Sequence, residues 1–179
     1  MNPPALPNPQ EIKTIACLML GEIGDLLVTT PTLKELSRRY PEAHITFILR
    51  SSMRDLFIAN PDVNELLLYD NKTLISKAKF LAALWNRRFD LWLDLHTPTY
   101  YTLGLKHRVF RRDAFLMNLT RSRFRVGFEV PPLSRNLTHA VPEPTESLLQ
   151  TENIVLGRTE NLSDYRYLVQ HVGFTIRFE

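Results

Sequence analysis

The sequence predicts an α/β fold, a parallel sheet flanked by helices, and three observations carry that reading. Short apolar runs at Lys13 to Leu20, His44 to Leu49, Val63 to Tyr69 and Asp90 to Leu95 alternate with stretches of helical periodicity. A glycine-bearing turn, Leu20-Gly21-Glu22-Ile23-Gly24-Asp25, follows the first run and opens a helix, where open parallel sheets carry their ligands. The chain of 179 residues, 44% hydrophobic, suits one domain with a substantial core.

The elements follow in order. Lys13 to Leu20 is a buried strand. The next pattern sets Leu26, Leu27, Leu33, Leu36 and Tyr40 on one helix face and Lys34, Glu35, Arg38 and Arg39 on the other. Pro31 divides it, with Thr30 predicted as N-cap of the main helix and Pro31 at its first position, and Pro41 marks the end. His44 to Leu49 is the second strand. Ser51 to Asn60 is a short helix capped by Ser51 or Ser52, and Val63 to Tyr69 the third strand. Thr73 to Arg88 is a helix, Asp90 to Leu95 the fourth strand, Thr99 to about Asn118 a helix and Phe124 to Phe128 the fifth strand. Pro131 to Pro144 is irregular, Glu146 to Val172 mostly helical, and Phe174 to Phe178 a beginning strand. Residues 1–12 form a flexible Pro-rich N-terminus, 13–173 the domain, and 174–179 the start of a link.

Composition narrows the function classes. The formal net charge of +3 is too small to announce a nucleic-acid binder. The excess is uneven, however: Arg108, Arg111, Arg112, Arg121, Arg123 and Arg125 stand close together against the single acid Asp113. Cys17 is the only cysteine, which excludes a disulfide framework and points to a reducing compartment. Met1 to Gln10 does not read as a secretory signal, and no apolar run approaches the roughly 20 residues needed to cross a bilayer. The five histidines and Cys17 show no metal-ligand spacing.

The turn after the first strand is not a dinucleotide loop. Only Gly21 and Gly24 of a G-x-G-x-x-G pattern are present. Asp25 also occupies the positive helix end, where it would repel a phosphate. The loop presents a carboxylate instead.

Further pieces complete a resemblance. They are the loop Gly21 to Pro31, L-x-x-x-Y-P at Leu36 to Pro41, I-T-F-I-L-R at Ile45 to Arg50 and N-P-D-V-N-E at Asn60 to Glu65. F-D-L-W-L-D-L-H at Phe89 to His96 and R-V-G-F at Arg125 to Phe128 follow. This ordered set, across roughly residues 13–173, resembles the N-terminal half of glycosyltransferase family 9, the lipopolysaccharide heptosyltransferases. The resemblance implies the Rossmann-like, acceptor-binding half of a GT-B fold and an inverting transfer. It implies that a nucleotide-sugar donor such as ADP-heptose binds a C-terminal domain beyond these residues, so that this half alone is inactive. It also implies a cytoplasmic protein, peripheral on the inner face of the cytoplasmic membrane.

On that resemblance Asp25 matches the general base, which takes the acceptor hydroxyl's proton as oxygen attacks the sugar. The other reading of Asp25 is a helix cap, and the two are compatible. Gly24 shapes the acceptor site. Thr29 either bonds the acceptor or makes local backbone bonds. His96 either lines the cleft or caps the next turn. Arg121, Arg123 and Arg125, just before and within the fifth strand, are read as nearer the cleft than Arg108, Arg111 and Arg112, and Arg135 as a weaker addition. Their guanidinium forks suit the phosphates and acidic sugars of a lipopolysaccharide core. The alternative is a surface charge cluster. Tyr100 to Arg112 mixes aromatics and cations in a way that suits an anionic membrane surface or a core helix. Asp90 and Asp94 are assigned no chemistry. Two alternatives to the enzyme are a stand-alone glycan- or lipid-binding module and a non-catalytic relative working with a separate donor-binding chain; nucleic acid ranks last.

Overall fold

The structure, a computed structural model, describes residues 7–96 and 106–142. Its strands are β1 (Thr14–Leu18), β2 (His44–Arg50), β3 (Glu65–Tyr69), β4 (Leu91–Asp94), β5 (Phe124–Phe128) and β6 (His139–Val141). Its helices are α1 (Ile23–Val28), α2 (Thr30–Arg39), α3 (Leu74–Trp85) and α4 (Lys106–Leu119). The strands form one 6-stranded sheet in the order β3-β2-β1-β4-β5-β6. Every neighbouring pair is parallel.

This order reverses between β1 and β4. A crevice opens outside their carboxyl ends at such a reversal, because the connections leave in opposite directions. Leu18 pairs with Asp94 at that edge, and the Leu95 amide donates to the Leu18 carbonyl at 3.0 Å. At the opposite, amino edge Asp90 Oδ2 accepts from the amides of Lys13 and Thr14 at 2.9 and 3.0 Å. Asp90 thus fastens β4 to β1 where both begin.

The central strands are apolar almost throughout because helices cover both faces. Ile15, Ala16, Cys17, Leu18, Phe47, Ile48, Leu91 and Trp92 have no exposed surface. Burial raises the Cys17 thiol far above its ordinary range, so it packs as a small apolar group. Leu33 and Leu36 of α2 and Phe110 and Met117 of α4 complete the core.

Several boundaries differ from the sequence reading. The break before Pro31 falls at Thr29, which ends α1 and begins α2, and Pro31 lies inside the first turn of α2. Two separate helices do not share one periodicity, and Leu27, expected on the buried face, is 54% exposed. Ser51–Leu56 is a 3-10 helix capped by Arg50, not a longer helix capped by Ser51 or Ser52. The stretch expected to be irregular from Pro131 holds a 3-10 turn (Ser134–Asn136) and β6, whose three residues are too short to announce themselves. The expected start of the fourth helix, the segment from Tyr100 to Lys106, the helix at Glu146 to Val172 and the strand at Phe174 to Phe178 lie outside the described residues or their side chains.

Candidate functional site

Asp25 stands in the first turn of α1, directly beyond the carboxyl end of β1. Its Oδ2 accepts from the Glu22 amide at 2.9 Å, closing the loop on itself. Two further contacts hold the loop from outside. Arg50, the last residue of β2, places Nη1 2.5 Å from Glu22 Oε1. The Leu20 amide donates to Nε2 of His96 at 3.2 Å. Half-buried Asp25 is therefore presented at the crevice by a turn tied to both β2 and the end of β4. Ile23 and Leu27, 51% and 54% exposed, give the same short helix an apolar rim. Gly24 adds no backbone freedom here, since it lies in α1 and a Cβ on it would meet open space.

His96 is the centre of a buried polar network. Its Nδ1 lies 3.1 Å from Asp94 Oδ1 and 3.1 Å from Asp113 Oδ2. Its amide donates to Asp94 Oδ1 at 3.0 Å, and Arg112 Nε donates to Asp113 Oδ1 at 2.8 Å. Asp94, His96 and Asp113 are at most 1% exposed. Burial works against a charge on His96, but Asp113 and then Asp94 outweigh it and raise its pKa to about 9. Burial and the charge of Asp113 raise Asp94. Burial opposes the charge of Asp113, but His96 and Arg112 hold it below its ordinary value. The network therefore keeps one proton that the unfolded chain would release near neutral pH. The Leu20 amide donates to Nε2 and Nδ1 faces both acids, so that proton is shared within the network.

Asp94, His96 and Asp113 also bring one ligand-type atom each within 4.8 Å of the others, a spacing that could hold a cation. Both ring nitrogens are already engaged in hydrogen bonds, however, and Arg112 supplies the positive charge beside Asp113.

The structure redistributes the residues singled out from the sequence. Asp25 and His96 come to the same edge, on either side of the crevice. His96 does not line that crevice; it is enclosed and supports the Leu20 turn from within. Thr29 has no exposed surface, and its hydroxyl donates to the Leu26 carbonyl at 2.7 Å, so it is a local bond and not an acceptor contact. Arg121 and Arg123 precede β5 and so lie at the amino edge, where Arg123 is 3.3 Å from Glu11. Arg135 sits in the 3-10 turn whose Asn136 accepts from Asn118 in the last turn of α4, also away from Asp25. The order is the reverse of the one predicted: the first turns of α4 bring Arg108, Arg111 and Arg112 to the Asp25 edge. Arg112 lies 5.9 Å from the ring of Tyr69 at the carboxyl end of β3.

Asp94 and Asp113 were missed as a pair. The D-x-H spacing of Asp94 and His96 signals a shared face of an extended segment. Asp113 carries no such signal, since only the tertiary fold brings α4 to it.

No family model matches the sequence, and no curated protein sequence matches it. Solved structures do match. A glycosyltransferase family 9 protein from Veillonella parvula superposes with a TM-score of 0.67 and 19% identity, over 91% of this chain and 42% of that one. The E. coli heptosyltransferase WaaC with ADP-2-deoxy-2-fluoro heptose gives 0.63 and 12%, over 92% and 50%. E. coli ADP-heptose lps heptosyltransferase II gives 0.54 and 17%, over 94% and 47%. The chain thus spans half or less of each of these structures and shares their fold. It is the Rossmann-like parallel sheet expected for one half of a GT-B glycosyltransferase.

Proposed function

We propose that this chain is the acceptor-side half of an inverting glycosyltransferase of the heptosyltransferase type. A nucleotide sugar such as ADP-heptose is bound by a second, donor-binding domain or chain, and without it this half is inactive. The observation that supports this reading is Asp25, a half-buried carboxylate fixed by its own loop at the crevice between β1 and β4. As the acceptor oxygen forms its bond to the anomeric carbon, the carboxylate takes the hydroxyl proton while the nucleotide diphosphate leaves from the opposite side. One carboxylate suffices for such a single displacement. Arg111 and Arg108, exposed on α4 at the same edge, give an acidic core glycan its counter-charges. The exposed Ile23 and Leu27 give its less polar surface a place to rest. The work is cytoplasmic, at the inner face of the membrane.

Calorimetry on the 179-residue chain tests this division of labour. A Kdo-containing lipopolysaccharide core is expected to bind and ADP to give no heat. Tight ADP binding would reverse the assignment of the halves. Binding of the glycan with no transfer in the presence of any donor-binding half would favour the glycan-binding module instead.

A further inference from the structure

We propose that the cleft between the C-terminal ends of α3 and α4 is a second anion site, built for a single phosphate-class oxyanion and separate from the Asp25 crevice. The cleft has a volume of about 120 Å³ and is lined by Trp85, Arg87, Arg88, Leu119, Thr120 and Arg121. It lies at the amino edge of the sheet, where Asp90 joins β1 and β4 and the Phe124 amide donates to the Asp90 carbonyl. Its ligand would not compete with one at Asp25. The inference stands independently of the role given to that residue.

Charge carries the argument. Three arginines line one small concavity. Arg87 is held by Glu65 through a paired contact, with Nη2 2.7 Å from Oε1 and Nη1 on Oε2. Among the described residues, neither Arg88 nor Arg121 meets a carboxylate. The C-terminal ends of α3 and α4 attract cations, but each contributes only roughly −0.5 of a charge. Glu65 takes up Arg87, whereas Arg88 and Arg121 keep no carboxylate partner among the described residues.

Local geometry holds that charge in place. Arg121 has φ 50, the left-handed region that a non-glycine residue seldom occupies. Its guanidinium lies 5.9 Å from the ring centroid of Trp85, an indole 59% exposed. The ring limits where the arginine can swing, so less freedom is lost when it grips an anion. Pockets for whole small molecules measure roughly 300–1,000 Å³. This smaller cleft fits one phosphate group, free or carried on a sugar or lipid, and the guanidinium fork matches its oxygens.

The chain supplies its own probe, because Trp85 faces the cleft while the second tryptophan, Trp92, is fully buried. Emission is followed while inorganic phosphate, glucose 6-phosphate or vesicles containing phosphatidic acid are added, with sodium chloride at matched ionic strength as reference. A saturable change with phosphate or glucose 6-phosphate identifies a soluble ligand; one confined to the vesicles identifies a lipid headgroup. Either supports the site if Arg88→Ala and Arg121→Ala each weaken it at least fivefold. Arg121→Gly, which suits the left-handed backbone, serves if Arg121→Ala unsettles the turn. A response equal to that of chloride, or variants that titrate like the unaltered chain, would overturn the proposal.

Discussion

The Leu20 amide donates to Nε2 of His96 across 3.2 Å, linking the turn after β1 to the residue after β4. Behind that bond His96 rests on Asp94 and Asp113, each 3.1 Å from Nδ1, in an interior closed to water. The loop that presents Asp25 is thus anchored on a buried ionisable cluster, and the cluster's properties can be measured.

Removing the imidazole should be costly. His96→Phe leaves two buried carboxylates without their shared donor, a change expected to cost about 3–5 kcal/mol. Urea unfolding of the variant checks it. A loss below about 1 kcal/mol would mean the acids find other partners.

Stability should fall with rising pH in a defined window. A group whose folded pKa lies above its unfolded value stabilises fully below the unfolded value and loses that contribution as pH passes the folded one. For His96 the window runs from its ordinary 6.5 to about 9. The extra proton shared with Asp94 then gives a slope near 1.4 kcal/mol per pH unit at its steepest. Asp94→Asn should flatten that slope if the proton resides on Asp94; the full slope persisting would move it to His96. A flat profile in the unaltered chain would contradict the shared proton.

Gly127 tests the packing beneath the cluster. A Cβ there would lie 3.2 Å from Asp94 Cβ, 3.3 Å from Leu137 and 3.4 Å from Leu133. The two leucine tips can yield, but the Asp94 Cβ is fixed by the strand. Gly127→Ala is expected to cost about 1–3 kcal/mol, read as a lower midpoint of thermal unfolding.

The arginines separate the two edges of the sheet. Arg111→Ala should weaken binding of an acidic glycan acceptor several-fold at low salt, with the difference shrinking as salt screens it. Arg123→Ala should leave that binding unchanged, since Arg123 lies at the amino edge beside Glu11. Equal losses in a salt series would return the acceptor to the far edge.

Much of this was legible in the chain. Runs such as Ile45 to Leu49 and Leu91 to Leu93 announce central strands because both faces are covered. The turn at Gly21 to Asp25 announces a ligand edge because it follows the first of them. The arginines before β5 were misread although strand direction places them: what precedes a parallel strand lies at the amino edge. Asp113 was beyond reach, because one carboxylate on a helix looks like any other until the fold seats it against His96. The three residues of β6 offer too short a pattern to stand out among the prolines around them.

The most direct test of the assignment is turnover by Asp25→Asn in an enzyme that pairs this half with its donor-binding half, measured beside acceptor binding. The asparagine keeps an oxygen that can accept from the Glu22 amide, so the loop should hold and acceptor affinity should change little. Loss of the base should lower transfer by about 10²–10⁴-fold. Near-normal turnover with intact binding would remove Asp25 from the chemistry and leave it as the first-turn residue that closes α1 onto the amide of its cap, Glu22.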